Sequence, residues 1–326
     1  VYTKRKEARV SDDKQPELIP SQPPFTSAAS LQAALGAFEK HMEDEGFAEN
    51  TQKAFASDIR LLGKYLGIGQ PVGEIGTKNL NDFLEWLLHE RGVPCSPKSY
   101  SRRVTTLKVF FGWLHDSGVL YHDPSNAIIQ HSVTSPLPTV PTEAELQKGL
   151  EVTQRIREGD EENKPDARPH LLLTLLLDTG VKKGEAMSIV PNHIDRSDAE
   201  NPFLFIRYKD PAKRYKERKI GLTAEWLEVL DEYLDQYEPS DTLFTCTARN
   251  LEYILSDVAE AAGLDKSLFS FENLRWASAM HDYKRETEPD RIRQRLGLSK
   301  ITWRETKSKL EKLIAREQER AAEPAL

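Results

Sequence analysis

Cysteine is scarce: the 326 residues hold two, Cys95 and Cys246, far apart and with no CxxC motif or Cys/His cluster around them. A disulfide scaffold and a structural zinc site are thereby excluded, and a reducing cytoplasm is the default expectation. The eight histidines have no metal-ligand spacing, so neither a metal nor another cofactor is expected. Long apolar runs are also missing, none approaching the ~20 residues that a spanning helix needs, so no integral membrane protein is expected. The opening Val1-Tyr2-Thr3-Lys4-Arg5-Lys6 has no apolar core and reads as no secretory signal. Nor is there a basic excess: the net charge is −7, which argues against a protein that coats nucleic acid by bulk charge.

What is present is a polar but foldable chain, 38% hydrophobic and 30% charged, of a length that suggests two domains. Residues 1–25 carry mixed charges and then Pro16, Pro20, Pro23 and Pro24 without periodicity, and read as a flexible arm. From 26 to 123 four amphipathic helices follow. Leu31, Leu35, Phe38 and Met42 mark the first, and Phe55, Ile59, Leu62 and Leu66 the second. The third runs from about Thr77 to Arg91 with Leu80, Phe83, Leu84, Leu87 and Leu88 inward. The fourth starts near Ser96-Pro97 and carries Tyr100, Val104, Leu107, Phe111 and Leu114. These are helical periods that must pack together, since no helix of this length is stable alone.

Residues 124–141, with Pro124, Pro136, Pro138 and Pro141, read as a linker into a second domain over 142–326. There His170–Leu177 is apolar nearly all round and is expected at the domain's centre. Residues 203–208 and 216–222 read as strands joined by a turn, and Arg207–Lys219 holds seven basic residues against two acidic ones. Helices are expected at about 223–236, 247–262, 271–283, 288–296 and 301–320. The fold class is therefore mostly α with a small β-hairpin.

This order of elements resembles the tyrosine recombinase, or phage integrase, family over residues 28–310. The resemblance rests on Ser101–Leu114 ending in His122-Asp123-Pro124-Ser125, on Leu175–Glu185 around Thr179-Gly180-Val181-Lys182, on Phe271-Glu272-Asn273-Leu274-Arg275, and on Arg295-Leu296-Gly297-Leu298. It implies a SAM-like core-binding bundle followed by an α+β catalytic-type domain.

Such proteins attack a DNA phosphate with a tyrosine while arginines, a lysine and histidines hold the charged transition state. Carried onto this chain, the first arginine position is Lys182, the histidine of the His-x-x-Arg box is Glu272, and the histidine after Leu-Gly is Leu298. The nucleophile position is Lys307, and no tyrosine follows Tyr283. Arg275 matches the second arginine, and the hairpin lysine is Lys213, with Lys209 as the fallback. The resemblance thus implies a degenerate site that does not cleave. Pairing of Arg275 with Glu272 at i, i+3 is the simplest expectation for the pocket.

Double-stranded DNA is the expected partner, contacted through Lys53 and Arg60 on the second helix and Lys98, Arg102, Arg103 and Lys108 on the fourth. In the second domain the candidates are Lys182, Lys183, Lys209, Lys213, Arg214, Lys216, Arg275, Lys300 and Arg304. The last helix, with Leu310, Leu313 and Ile314 on one stripe, either docks a second copy or an active recombinase or caps its own domain. The expected role is that of an accessory, architectural or site-specific DNA-binding factor in recombination or mobile-element DNA transactions, in the cytoplasm and on the nucleoid when DNA-bound. Two alternatives stay open. One is an active enzyme with an unorthodox nucleophile among Ser299, Thr302 and Thr306, or one supplied by a partner. The other is an interaction module without DNA binding, favoured by a net charge of about −6 over 136–326.

Overall fold

The computed structural model describes residues 25–131 and 136–322; the expected arm lies almost wholly outside them. Internal contacts divide the chain into two units, meeting in sequence at Pro136 and Leu137. The expected linker is shared between them. Pro124 accepts a hydrogen bond from Thr77 Oγ1 at 2.8 Å within the first unit, and Val140 packs against the last helices of the second.

In the first unit, α1 (Leu31–Asp44) starts where Ser30 Oγ accepts from Ala33 N at 3.2 Å. α2 (Glu49–Leu66) begins ahead of the expected Asn50-Thr51 signal, after Ala48, whose side chain makes no cap. α3 (Thr77–Glu85) gives way to a π turn over Trp86–Glu90, where one continuous α-helix was expected. The turn carries Leu87 into the core while Trp86 lies against Tyr65 and Phe83, with ring centroids 5.2 and 6.0 Å apart. α4 (Pro97–Asp116) is capped by Ser96, whose Oγ accepts from Ser99 N at 3.2 Å, with Pro97 in the first turn where its missing N–H costs nothing. Tyr100, Val104, Leu107, Phe111 and Leu114 are buried as their spacing predicts. Phe110 is buried too, edge-on to Phe38 at 5.1 Å, so α4 is covered on two faces.

The second unit is built around α6 (Arg168–Thr179), whose Leu171, Leu172, Leu173, Leu175 and Leu176 are fully buried. α5 (Glu143–Glu158) packs against it, starting at a capping box in which Thr142 and Glu145 satisfy each other's backbone N–H groups. α6 stops at Gly180, which takes the left-handed conformation at φ 59°. A single-turn helix, α7 (Lys183–Ala186), follows; its four residues are too few to show a period.

The sheet has three antiparallel strands in the order β1 (Ile194–Asp195), β2 (Phe203–Ile206), β3 (Arg218–Gly221). β1 was not expected, because two residues show no alternation. Leu204 pairs with Ile220 and Phe205 with Lys219. The hairpin strands are shorter than the sequence suggests: a 3-10 turn takes up Pro211–Lys216, fixed by Asp210 Oδ1 accepting from Ala212 N at 2.9 Å.

Helices complete the unit: α8 (Ala224–Tyr237), α9 (Ala248–Ala261), α10 (Phe271–Lys284), α11 (Pro289–Arg295) and α12 (Lys300–Ala322). On α12, Trp303 and Leu310 are buried and Leu313 and Ile314 half-buried, with Met280, Ile292 and Leu296 in the same cluster. Of the two readings of this stripe, the packing is that of a helix capping its own unit. Among the described residues no helix is long and apolar enough to cross a membrane.

Candidate functional site: a cation cluster and an anchored arginine

Three segments of the second unit converge on one carboxylate. Glu185 lies on α7 with 3% of its side chain exposed, and its Oε2 accepts from the Lys182 backbone N–H at 2.9 Å. Arg218, 7% exposed, meets it with both terminal nitrogens, at 3.0 and 2.8 Å. The Tyr208 hydroxyl donates to the same group. Burial alone would push the Glu185 carboxyl up, but the Arg218 fork and these donors overcome it and bring it down to about 2. Burial, helped by the Glu185 charge, pushes the Tyr208 phenol up to about 12.

Arg275 reaches the same place from α10. Its two terminal nitrogens donate to the carbonyls of Gly180 and Leu296, not to Glu272, which is exposed. The i, i+3 pairing is therefore corrected: the guanidinium turns inward, where two helix-end carbonyls lack partners of their own. Burial pushes Arg275 down to about 10, with Arg218 and Arg295 adding repulsion against the attraction of Glu185.

Arg295 is tied to Asp282 at 2.7 Å, to Ser278 Oγ at 3.0 Å and to the Asp178 carbonyl at 2.5 Å. Lys182 holds its Nζ 4.0 Å from Glu185, and burial lowers its pKa although Glu185 opposes the shift. Among the described residues, Lys182 and Arg218 thus lie within ion-pair reach of Glu185 and Arg295 within reach of Asp282, while Arg275 is held by backbone carbonyls.

The other expected site residues lie apart. Lys183 pairs with Glu252 at 2.7 Å, and Lys213 with Asp210 at 3.1 Å on the 3-10 turn. Lys209 and Arg214 are exposed, and Lys216 lies beside the Tyr215 ring at 5.2 Å. Leu298 is half-buried in the α12 cluster, and Lys300 and Arg304 are exposed. Lys307 sits one turn from Glu311, 3.7 Å away on the same helix. The side chains of Ser299, Thr302 and Thr306 serve the helix: Ser299 Oγ accepts from Thr302 N at 3.1 Å, and Thr306 Oγ1 donates to the Thr302 carbonyl at 3.0 Å.

Sequence reasoning passed over Arg218 and Arg295. For Arg218 a signal existed, since Arg218, Ile220 and Leu222 alternate with exposed Lys219 and Gly221, which places Arg218 on the inward face.

In the first unit, Lys53 and Arg60 are exposed and paired with Glu49 and Glu39, both at 2.5 Å. Lys98 and Lys108 are exposed on α4. Arg102 and Arg103, expected to act together on the surface, part company. Arg102 is 42% exposed and binds Asp58 of α2 through Nε at 2.9 Å and Nη2 at 2.7 Å. Arg103 is 12% exposed, with Nε 3.5 Å from Asp58 and Nη1 2.7 Å from Cys95 Sγ. It faces into the bundle because the 4%-exposed Asp58 needs countercharge there.

Residues 35–119 match the phage integrase N-terminal SAM-like domain, and residues 149–304 match the phage integrase family. The chain belongs to the phage integrase family. Among its curated relatives is the tyrosine recombinase XerD of Agrobacterium fabrum, 28% identical over 300 residues, covering 83% of this chain and 87% of that protein. XerD of Listeria innocua is 23% identical over 273 residues, 79% of this chain and 87% of the other. Two solved structures share the fold. XerH recombinase bound to a palindromic difH substrate has TM-score 0.67, 19% identity and coverage of 89% and 84% of the two chains. A λ integrase dimer bound to a COC′ core site has TM-score 0.65, 17% identity and coverage of 85% and 77%. The family resemblance and the mostly helical fold with its small antiparallel sheet thus agree with the sequence reading.

Proposed function

We propose that this phage integrase family member binds duplex DNA without cutting it, as an accessory or architectural subunit in recombination. The observation that carries the reading is the cation cluster at Lys182, Arg218, Arg275 and Arg295, where, among the described residues, the carboxylates within ion-pair reach are Glu185 and Asp282. Clustered cations in excess of anions favour an incoming phosphate oxygen. Recombinases of the same fold solved on their DNA substrates support this partner.

Against cleavage stand the residues at the reacting positions. Lys307 is a cation one turn from Glu311, the Leu298 side chain has no hydrogen-bond donor, and Glu272 brings an anion where the family has a histidine. Lys182 offers a point charge where an arginine offers a fork. Losing one preorganised donor costs about 2.7–4 kcal/mol of transition-state stabilisation, a factor of roughly 100–1,000 in rate.

A binding selection from a random duplex pool at low and moderate salt tests the reading, followed by a search for an SDS-stable adduct on the recovered site. Retention that weakens with salt, and no adduct, is the expected result. A covalent adduct with the wild-type chain refutes the pseudoenzyme reading. Failure to retain any duplex at low salt moves the function to a protein partner, the reading favoured by the acidic balance of the second unit.

A further inference from the structure

The side-on geometry of one ion pair in the helical bundle gives the proposed DNA contact a direction. Asp58 of α2 is 4% exposed, so its carboxylate is committed to the bundle. It binds Arg102 through Nε and Nη2 and accepts from Thr106 Oγ1 at 3.0 Å. A carboxylate on the Nε/Nη2 side leaves the end of the guanidinium, Nη1 and the second hydrogen of Nη2, unused by the pair. Arg102 itself is 42% exposed, so its side chain reaches solvent while Asp58 holds one edge of it.

The surroundings suit an anionic, groove-shaped partner. α4 carries Lys98, Arg102, Arg103 and Lys108 and has no acidic residue before Asp116, its last. Lys98, Ser101, Arg102, Thr105 and Lys108 form one exposed stripe at helical spacing. An α-helix of this kind fits the major groove, and the end of an arginine fork matches O6 and N7 of guanine. An untethered arginine side chain would lose rotamer freedom on binding; here the buried carboxylate has already restricted it.

We infer that Arg102 reads a guanine in the major groove and that Asp58 is the positioning residue that aims it. The inference rests on the DNA-binding reading above and deepens it: α4 supplies sequence selectivity, and Asp58 acts only through Arg102. Arg103, turned inward, belongs to the bundle and contributes no base contact.

The test compares the wild type with R102K and D58N on the selected duplex and on single-base variants of it, by fluorescence anisotropy over a range of salt. R102K keeps the charge, and leaves Asp58 with Arg103 and Thr106, but removes the fork. It is expected to lose about tenfold to a hundredfold of discrimination at one G·C pair, with the salt slope and the affinity for unrelated duplex unchanged. D58N is expected to lose the same discrimination at the same base pair although Arg102 is intact. Thermal melts of both variants show whether the bundle remains folded. Full discrimination in R102K overturns the inference and leaves DNA binding standing. Loss in D58N at a different position, or uniformly over all sequences, overturns the positioning role. A wild type that binds no duplex overturns both readings together.

Discussion

Replacing Glu185 by glutamine should uncover how much of the second unit's stability hangs on one buried ion pair. The variant is nearly isosteric, but it leaves the 7%-exposed Arg218 with its charge uncompensated. Breaking one partner of a buried pair typically costs about 3–5 kcal/mol. The same contact can be weighed through proton binding. The Glu185 carboxyl lies at about 2 rather than 4.5, a difference worth about 3 kcal/mol at ~1.4 kcal/mol per tenfold change in proton affinity.

Because the folded-state pKa is depressed, that contribution is fully present above 4.5 and is lost as the pH falls toward 2. Urea unfolding followed by far-ultraviolet circular dichroism should therefore show E185Q less stable than wild type by about 3–5 kcal/mol at neutral pH. The gap should narrow steadily below pH 4.5, since a protonated Glu185 offers Arg218 no more than the glutamine does. A gap under about 1 kcal/mol at neutral pH, or one that does not shrink in acid, would refute the reasoning.

Two further outcomes are expected. His170 is buried, with Nδ1 2.8 Å from Thr153 Oγ1, and burial together with the Arg157 charge lowers its pKa, so the unfolded chain takes up a proton first; stability should fall below pH 6.5 by at most about 1.4 kcal/mol per pH unit, and melting curves of wild type and H170Q from pH 7.5 to 5 should converge. Gly180 holds φ 59°, and a Cβ there would come within 2.9 Å of Leu296 Cδ2 and 3.2 Å of Ser278 Oγ, so G180A should cost about 1–3 kcal/mol, read as a lowered urea midpoint.

Much of the fold could be read along the chain because its signals are local. Ser30, Ser96-Pro97 and the Thr142/Glu145 box mark helix starts through bonds spanning three residues. The apolar stripes of α1 and α4 are buried because helical spacing alone brings those residues to one face. The elements that escaped were short or bent: β1 and α7 lack the length to show a period, and the π turn at Trp86–Glu90 follows from how Trp86 packs against Tyr65 and Phe83.

For the site, the sequence by itself determined which residue types stand at the family's positions: lysine at 182 and 307, glutamate at 272, leucine at 298, arginine at 275. Only the tertiary structure decided what those charges do. Exposed cations on amphipathic helices look alike in sequence, yet Arg102 is held by Asp58 from 44 residues away and Arg103 is drawn inward beside it. Arg275 takes carbonyl partners 95 and 21 residues distant in preference to the glutamate one turn away. The physical reason is burial: in water a local i, i+3 pair and a distant one differ little, but inside the fold unmet carbonyls and an isolated carboxylate are costly enough to choose each arginine's partner.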